Sequence, residues 1–345
     1  MISLGELVDI KGGGTPDKNN SEYWNGDIPW ASVKDFKKNI LDSTLDSITL
    51  LGVRNSATSV IPAGNIIVPT RMALGKVAIN TIDLAINQDL KALFIKDNDV
   101  VDRDYLFRWL ESQSSLIESE GKGATVKGIT LPFLKGLNVP IPPINEQKRI
   151  AAILDKADAI RQKREQAIKL ADDFLCATFA TMYGNPITNP KKWPVHLMGE
   201  IIEFKGGNQP PKSDFIFEPK QGYIRLVQIR DFKSDKYATY IPQEKAKRIF
   251  EVDDVMIARY GPPVFQILRG LSGSYNVALM KASPKENIRK GFIFYLLQLP
   301  EYHDVVVKNS ERTAGQTGVN LELLNKFNVP LPPIYYQDEI LDRLA

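Results

Sequence analysis

The sequence predicts an α+β fold of two similar domains, short-stranded sheets with few helices, joined by a long coiled-coil-type α-helix. Three observations predict it. Blocks of sequence recur in order about 190 residues apart, short apolar runs bounded by turn residues fill each copy, and a heptad-spaced apolar seam lies between the copies.

The repeat is clearest near the end of each copy, where Asn138-Val139-Pro140-Ile141-Pro142-Pro143-Ile144 returns as Asn328-Val329-Pro330-Leu331-Pro332-Pro333-Ile334, a shift of 190 positions. Gly128-Ile129-Thr130-Leu131 returns as Gly318-Val319-Asn320-Leu321 at the same shift. Gly5 to Gly13 returns as Gly199 to Gly207, Val33 to Lys37 as Ile229 to Lys233, and Asn65 to Val68 as Asp254 to Ile257. The shifts differ by a few residues while the order is kept, the signature of two diverged copies with insertions in loops. A period near 190 is too long for a solenoid repeat, so each copy is a domain. The boundaries expected are 1–143 and 184–333 for the domains, 144–183 for the spacer helix and 334–345 for the start of a second such helix.

Within a copy, Ile66-Ile67-Val68 and Val77-Ala78-Ile79 read as strands, and Asp254 to Ala258 repeats the first. Tyr105 to Ser112 and Phe292 to Gln298 carry apolar residues at helical spacing. Between the copies, Ile150, Ile153, Ala157, Ile160, Ala167, Ala171 and Phe174 fall on one seam, interrupted once by Arg164. The helix predicted from Glu146 to Ala180 is about 52 Å long at 1.5 Å per residue. It carries seven basic and six acidic residues. Such balance suits a helix that pairs with another helix better than one that cradles DNA.

Composition bounds the function. The 345 residues are 43% hydrophobic and 25% charged, with a net charge of +3, ordinary globular values. The charge is too near neutral to name a partner, so any nucleic-acid surface has to be a local patch. No apolar stretch is long enough for a membrane span and no signal peptide opens the chain, so a soluble, cytoplasmic protein is expected. The single Cys176 excludes an internal disulfide, and with only two histidines no metal site is expected.

No catalytic constellation is found. There is no phosphate-binding loop and no methyltransferase Asn-Pro-Pro-aromatic motif. Cys176 has no histidine nearby, and His196 and His303 fall at non-equivalent places. The Gly12-Gly13-Gly14 and Gly206-Gly207 runs read as turns. Basic residues do recur at matching loop positions: Lys11 with Lys205, Lys34 and Lys37 with Arg230 and Lys233, and Arg71 close to Arg259, one position out of register. Lys122 and Lys127 precede the Gly128 block, and Lys308 and Arg312 precede Gly318; Lys76 joins the set beside Gly75. Singly each is an ordinary surface charge. Their repetition beside Gly-rich turns and aromatics marks them as candidate DNA-binding residues.

A Leu-Gly-Glu start, a Lys-Gly-Gly turn, Gly-Asn-Ile-Ile-Val-Pro-Thr-Arg at 64–71 and Pro-Ile-Pro-Pro-Ile-Asn-Glu-Gln-Lys-Arg-Ile at 140–150 follow one another, and a near-copy comes after. This closely resembles the specificity subunit of type I restriction-modification systems, along essentially the whole chain. The resemblance implies two target-recognition domains, each reading half of a bipartite double-stranded DNA target. It implies helices that set the half-site spacing and dock methyltransferase (modification) subunits, and a restriction subunit that joins them. S-adenosylmethionine, ATP and Mg would belong to those partners, so no cofactor and no catalysis are expected of this chain.

Two departures stand out. The second copy has Tyr335-Tyr336-Gln337-Asp338 where the first has Asn145-Glu146-Gln147-Lys148. The repeat also predicts some thirty residues beyond Ala345, so the seam is expected to be exposed and open to a homodimer. A scaffold of the same shape without DNA binding, and a free-standing DNA-modifying enzyme, are the competing readings.

Overall fold

The fold comes from a computed structural model that describes residues 1–121, 127–261, 263–310 and 318–345. The chain divides into two compact units, Met1–Arg164 and Glu165–Ala345. It is α+β as expected, with sheets in each unit and one continuous helix, Ile144–Tyr183, between them.

Unit 1 holds a five-stranded sheet in the order Val8–Gly12, Leu90–Ile95, Ile66–Pro69, Ala78–Asn80, Ile40–Leu41. A second sheet runs Asp46–Ile48, Trp24–Ala31, Leu84–Ile86, Val60–Ile61. Unit 2 repeats the second order in full and the first without a counterpart to the Ile40–Leu41 strand. Its first sheet runs Ile202–Gly206, Leu279–Pro284, Val255–Ala258, Ile267–Leu268, and its second Tyr240–Pro242, Tyr223–Val227, Gly273–Tyr275, Ile249–Phe250. The match extends to direction. Trp24–Ala31 lies parallel to Leu84–Ile86, and Tyr223–Val227 parallel to Gly273–Tyr275, while the other pairs of these second sheets are antiparallel.

The layering explains the apolar runs. Strand side chains alternate faces. Ile66 and Val68 point into a core with Leu106 and Leu110 of the helix Arg103–Ser112, while Ile67 points into a second core with Ile61, Ile86 and Leu90. Val255 and Ile257 likewise face Phe292 and Leu296, and Met256 faces Phe250 and Tyr275. Both strands are buried on both sides, so neither shows the apolar–polar alternation of a half-exposed strand.

Local chemistry sets the helix ends. The Asp102 side chain accepts from Tyr105 N, Thr130 from Phe133 N, and Asn320 from Glu322 N and Leu323 N, each an N-terminal cap. The long helix stops at Tyr183, where Gly184 takes φ +90°, a conformation costly for any residue with a Cβ.

The two ends of the long helix belong to the cores. Ala151 is buried in unit 1, and Phe179 and Tyr183 are buried in unit 2, where Phe179 lies 5.1 Å from Phe292 and 5.5 Å from Tyr295. Between them the expected seam is exposed, with Ile153 at 55%, Ile160 at 53% and Phe174 at 68%; Ala157, Ala167 and Ala171 are exposed too. Ile150 corrects the expectation. It is half-buried against the core of unit 1, so the free seam begins after it.

Candidate nucleic-acid interface

In each unit one tight turn gathers three other segments by backbone hydrogen bonds. In unit 1 it joins Leu84–Ile86 to Leu90–Ile95. Asn87 makes the turn, its Oδ1 accepting from Asp89 N at 3.1 Å and its carbonyl from Leu90 N at 3.3 Å. Asn87 N donates to Ala31 O (3.0 Å), Gly14 N to Ile86 O (3.0 Å) and Thr70 N to Asp89 O (2.7 Å). Unit 2 repeats the set. Asn276 Oδ1 accepts from Ala278 N at 3.1 Å, and its carbonyl from Leu279 N at 3.0 Å. Asn276 N donates to Val227 O (3.2 Å), Asn208 N to Tyr275 O (3.1 Å) and Arg259 N to Ala278 O (2.8 Å).

The glycine runs are part of this knot. A Cβ on Gly13 would stand 1.9 Å from Ile86 O, and one on Gly207 would stand 2.0 Å from Asn276 O. Neither position tolerates a side chain, because both backbones press against the turn. The Gly-Gly signal read as a turn is therefore a requirement for close backbone approach.

Around the knot of unit 1 lies a cleft of about 560 Å³ lined by Thr15, Trp24, Trp30, Lys34 and Gln88 among others. The indoles meet edge to face, 5.1 Å apart, and their N–H groups are spent on backbone: Trp30 on Gly14 O and Trp24 on Asp17 O, both at 3.0 Å. A smaller pocket of about 250 Å³ shares Gln88 and Asp89 and adds Arg71 and Lys91. Arg71 Nη1 stands 3.8 Å from Asp89. Lys91 donates to Gln88 O at 2.7 Å, and its burial pushes its ammonium pKa down. The structure thus brings Lys34 and Arg71 to either side of one turn, beside aromatic faces and polar side chains.

The other candidates fall in several places. Lys11 and Lys205 hold the same position on the edge strand of the first sheet. Lys11 lies over the Phe94 ring at 4.6 Å, and Lys205 pairs with Glu203 at 2.9 Å. Arg230 stands over Tyr237 at 5.5 Å, and Lys37 and Lys233 are exposed nearby in their respective loops. Lys76 is tied into the fold, with Nζ donating to Phe36 O at 2.8 Å. Lys127 is exposed beside the Arg71–Gly128 bridge, and Lys308 is exposed on the helix Pro300–Ser310. Lys122 and Arg312 lie outside the described residues.

Arg71 and Arg259 are not structural equivalents. Arg71 bridges Gly128 as Tyr260 bridges Gly318, and Ile129 N donates to Thr70 O as Val319 N donates to Arg259 O. Arg259 therefore occupies the place of Thr70, one residue earlier. Its guanidinium lies 5.0 Å over the Tyr260 ring, and its Nε is buried without a hydrogen-bond partner.

Sequence reasoning missed Asn87, Gln88, Asp89 and Asn276. The signal was there: the 189-residue shift linking Asn65 with Asp254 also links Asn87 with Asn276 and Leu90 with Leu279. Among the described residues no three His, Cys, Asp or Glu side chains group as a metal site. Cys176 Sγ stands 3.8 Å from Gln298 Oε1, and burial, with Asp172 and Asp173 nearby, pushes its thiol pKa up, away from a reactive thiolate.

The two units share their strand arrangement, each has a tight turn beside loop cations, and one helix runs through both, so the chain is a structural duplication. The type I restriction-modification DNA specificity domain matches residues 1–170 and 190–345, and this chain belongs to that family. It is 40% identical over 165 residues to a type I restriction enzyme specificity subunit of Escherichia coli, covering 46% of this chain and 40% of that one. It is 25% identical over 240 residues to one of Methanocaldococcus jannaschii, covering 64% and 56%. The chain thus spans about half the length of these curated relatives. In fold it is similar to the type I restriction-modification S subunit from M. genitalium, with a TM-score of 0.53, 17% identity and 99% and 88% of the two chains covered.

Proposed function

We propose that this chain is the sequence-recognition subunit of a type I restriction-modification complex. Each unit reads one half of a bipartite double-stranded DNA target. The long helix sets the spacing and docks methyltransferase subunits through its exposed seam, and a restriction subunit joins that assembly. The chain itself performs no chemistry; S-adenosylmethionine, ATP and Mg are assigned to the partners.

The observation that carries this reading is the repeated knot. Its backbone hydrogen bonds are the same in both units, while the side chains around it differ: Gln88 against Val277, Asp89 against Ala278, Arg71 against Tyr260. One frame holding different side chains is what reading two different half-sites requires. Lys34 and Arg71, or Arg230 and Arg259, suit contacts to phosphates on either side of the bases read.

The test is duplex DNA binding by the full chain as salt is varied. Affinity is expected to fall steeply with salt, with Arg71→Ala and Arg259→Ala each weakening it. Salt-independent binding, or none, favours the scaffold reading. Methylation or cleavage by the isolated chain would contradict the assignment outright.

The exposed run from Ile153 to Phe174 supports a protein partner on the helix. A second copy of this chain is the competing occupant, and light scattering at high concentration separates the two.

A further inference from the structure

The turn at the centre of each knot presents one exposed side chain, and it differs between the units. Every residue from Leu84 to Leu90 is buried except Gln88. In the matching run from Gly273 to Leu279, Val277 is 41% exposed, with Ala278 half-buried beside it. Neither side chain builds the turn, because Asn87 and Asn276 supply its side-chain hydrogen bond. The backbone therefore aims both positions alike and leaves their chemistry free to vary.

We propose that positions 88 and 277 are specificity-determining: Gln88 reads an adenine in one half-site and Val277 meets a thymine methyl in the other. The inference rests on the DNA-reading assignment above. The Gln88 side chain is held in place, since the Thr15 hydroxyl donates to its Oε1. The Lys91 ammonium fixes the Gln88 carbonyl at 2.7 Å. What remains free is the amide NH₂ and one lone pair on Oε1, the donor–acceptor pair that matches N7 and the N6 amino group of adenine in the major groove. Val277 offers no polar atom, only the methyl groups that pack against the C5-methyl of thymine.

The full chain is mixed with a randomised duplex library and the bound fraction is sequenced, for the natural protein, Gln88→Ala and Val277→Gln. Both substitutions are at exposed positions, so unchanged melting temperatures serve as the folding control. The natural protein is expected to select a bipartite pattern. Gln88→Ala is expected to lose about tenfold discrimination at a single adenine in one half, and Val277→Gln to replace a thymine by adenine in the other. A bipartite natural pattern that neither substitution alters overturns this inference and leaves the DNA-reading assignment standing. A natural protein that selects no pattern overturns both.

Discussion

Gln147 and Gln337 are the same buried hydrogen-bond hub, one at the start of each inter-unit-type helix. Gln147 Oε1 accepts from Asp102 N at 2.9 Å, and its Nε2 donates to Val100 O at 2.9 Å and Pro142 O at 2.8 Å. Gln337 Oε1 accepts from Arg289 N, and its Nε2 donates to Asn287 O and Pro332 O, all at 2.9 Å. Both side chains are fully buried. This explains why the glutamine alone survives where Asn145-Glu146-Gln147-Lys148 becomes Tyr335-Tyr336-Gln337-Asp338.

Gln147→Ala leaves one amide and two carbonyls without partners, so a loss of about 2–3 kcal/mol is expected. Gln337→Ala should cost a similar amount, and the two should add, because they lie in separate units. Chemical denaturation followed by circular dichroism measures this. A loss below about 0.5 kcal/mol for either would contradict the hub.

Gly12 and Gly13 are neighbours with opposite tolerances. The nearest atoms to a Cβ on Gly12 are the far end of the flexible Lys91 side chain, Nζ at 3.4 Å, whereas one on Gly13 meets backbone at 1.9 Å. Gly13→Ala and Gly207→Ala are expected to lower the melting temperature and weaken DNA binding, while Gly12→Ala leaves both nearly unchanged. Equal effects at Gly12 and Gly13 would show that the knot is not a tight backbone junction.

Arg108 pins the first turns of the long helix to unit 1. It is only 14% exposed and reaches Glu111 and Asp155 at 2.7 Å and Asp158 at 3.6 Å. Burial opposes its charge, but the bonds from Asp155 and Glu111 outweigh that and raise its pKa. Arg108→Ala removes the link from unit 1 to Asp155, while Asp158 keeps Arg161 at 2.7 Å, and should speed amide exchange from about residue 150 to 160. Unchanged exchange there would mean that apolar packing of Ile150 and Ala151 suffices.

Asp254 sets an acid limit for unit 2. Burial disfavours its charge, but bonds from Lys290, the Glu251 amide and Lys281 outweigh it and hold the carboxyl below the usual aspartate range. Its stabilisation is therefore complete above the unfolded pKa near 4 and is lost as pH falls through the lower folded value. The stability gap between the natural protein and Asp254→Asn should be largest near neutral pH and close below about pH 4. A gap that stays constant down to about pH 3 would count against this pairing.

The duplication, the strands at 66–69 and 255–258 and the long helix are legible in the sequence because each is a local pattern repeated or continued. The sheet order is not legible, because the parallel pairing of Trp30 with Ala85 joins residues that no local periodicity links. The site was half legible. Lys34 and Arg71 show as repeated cations, but the turn they flank is held by backbone bonds, and Asn87 announces itself only when the copies are aligned on the correct shift. The one-residue offset between Arg71 and Arg259 read from the sequence is also seen in the fold, where the Gly128 and Gly318 bridges pair Arg71 with Tyr260.

On the proposed function, two copies of one frame read two separate half-sites. Footprinting the full chain on a duplex recovered from the selected library tests it most directly. Two protected patches separated by an open spacer are predicted, with Arg71→Ala weakening one patch and Arg259→Ala the other. A single continuous patch, or both substitutions weakening the same one, would contradict it.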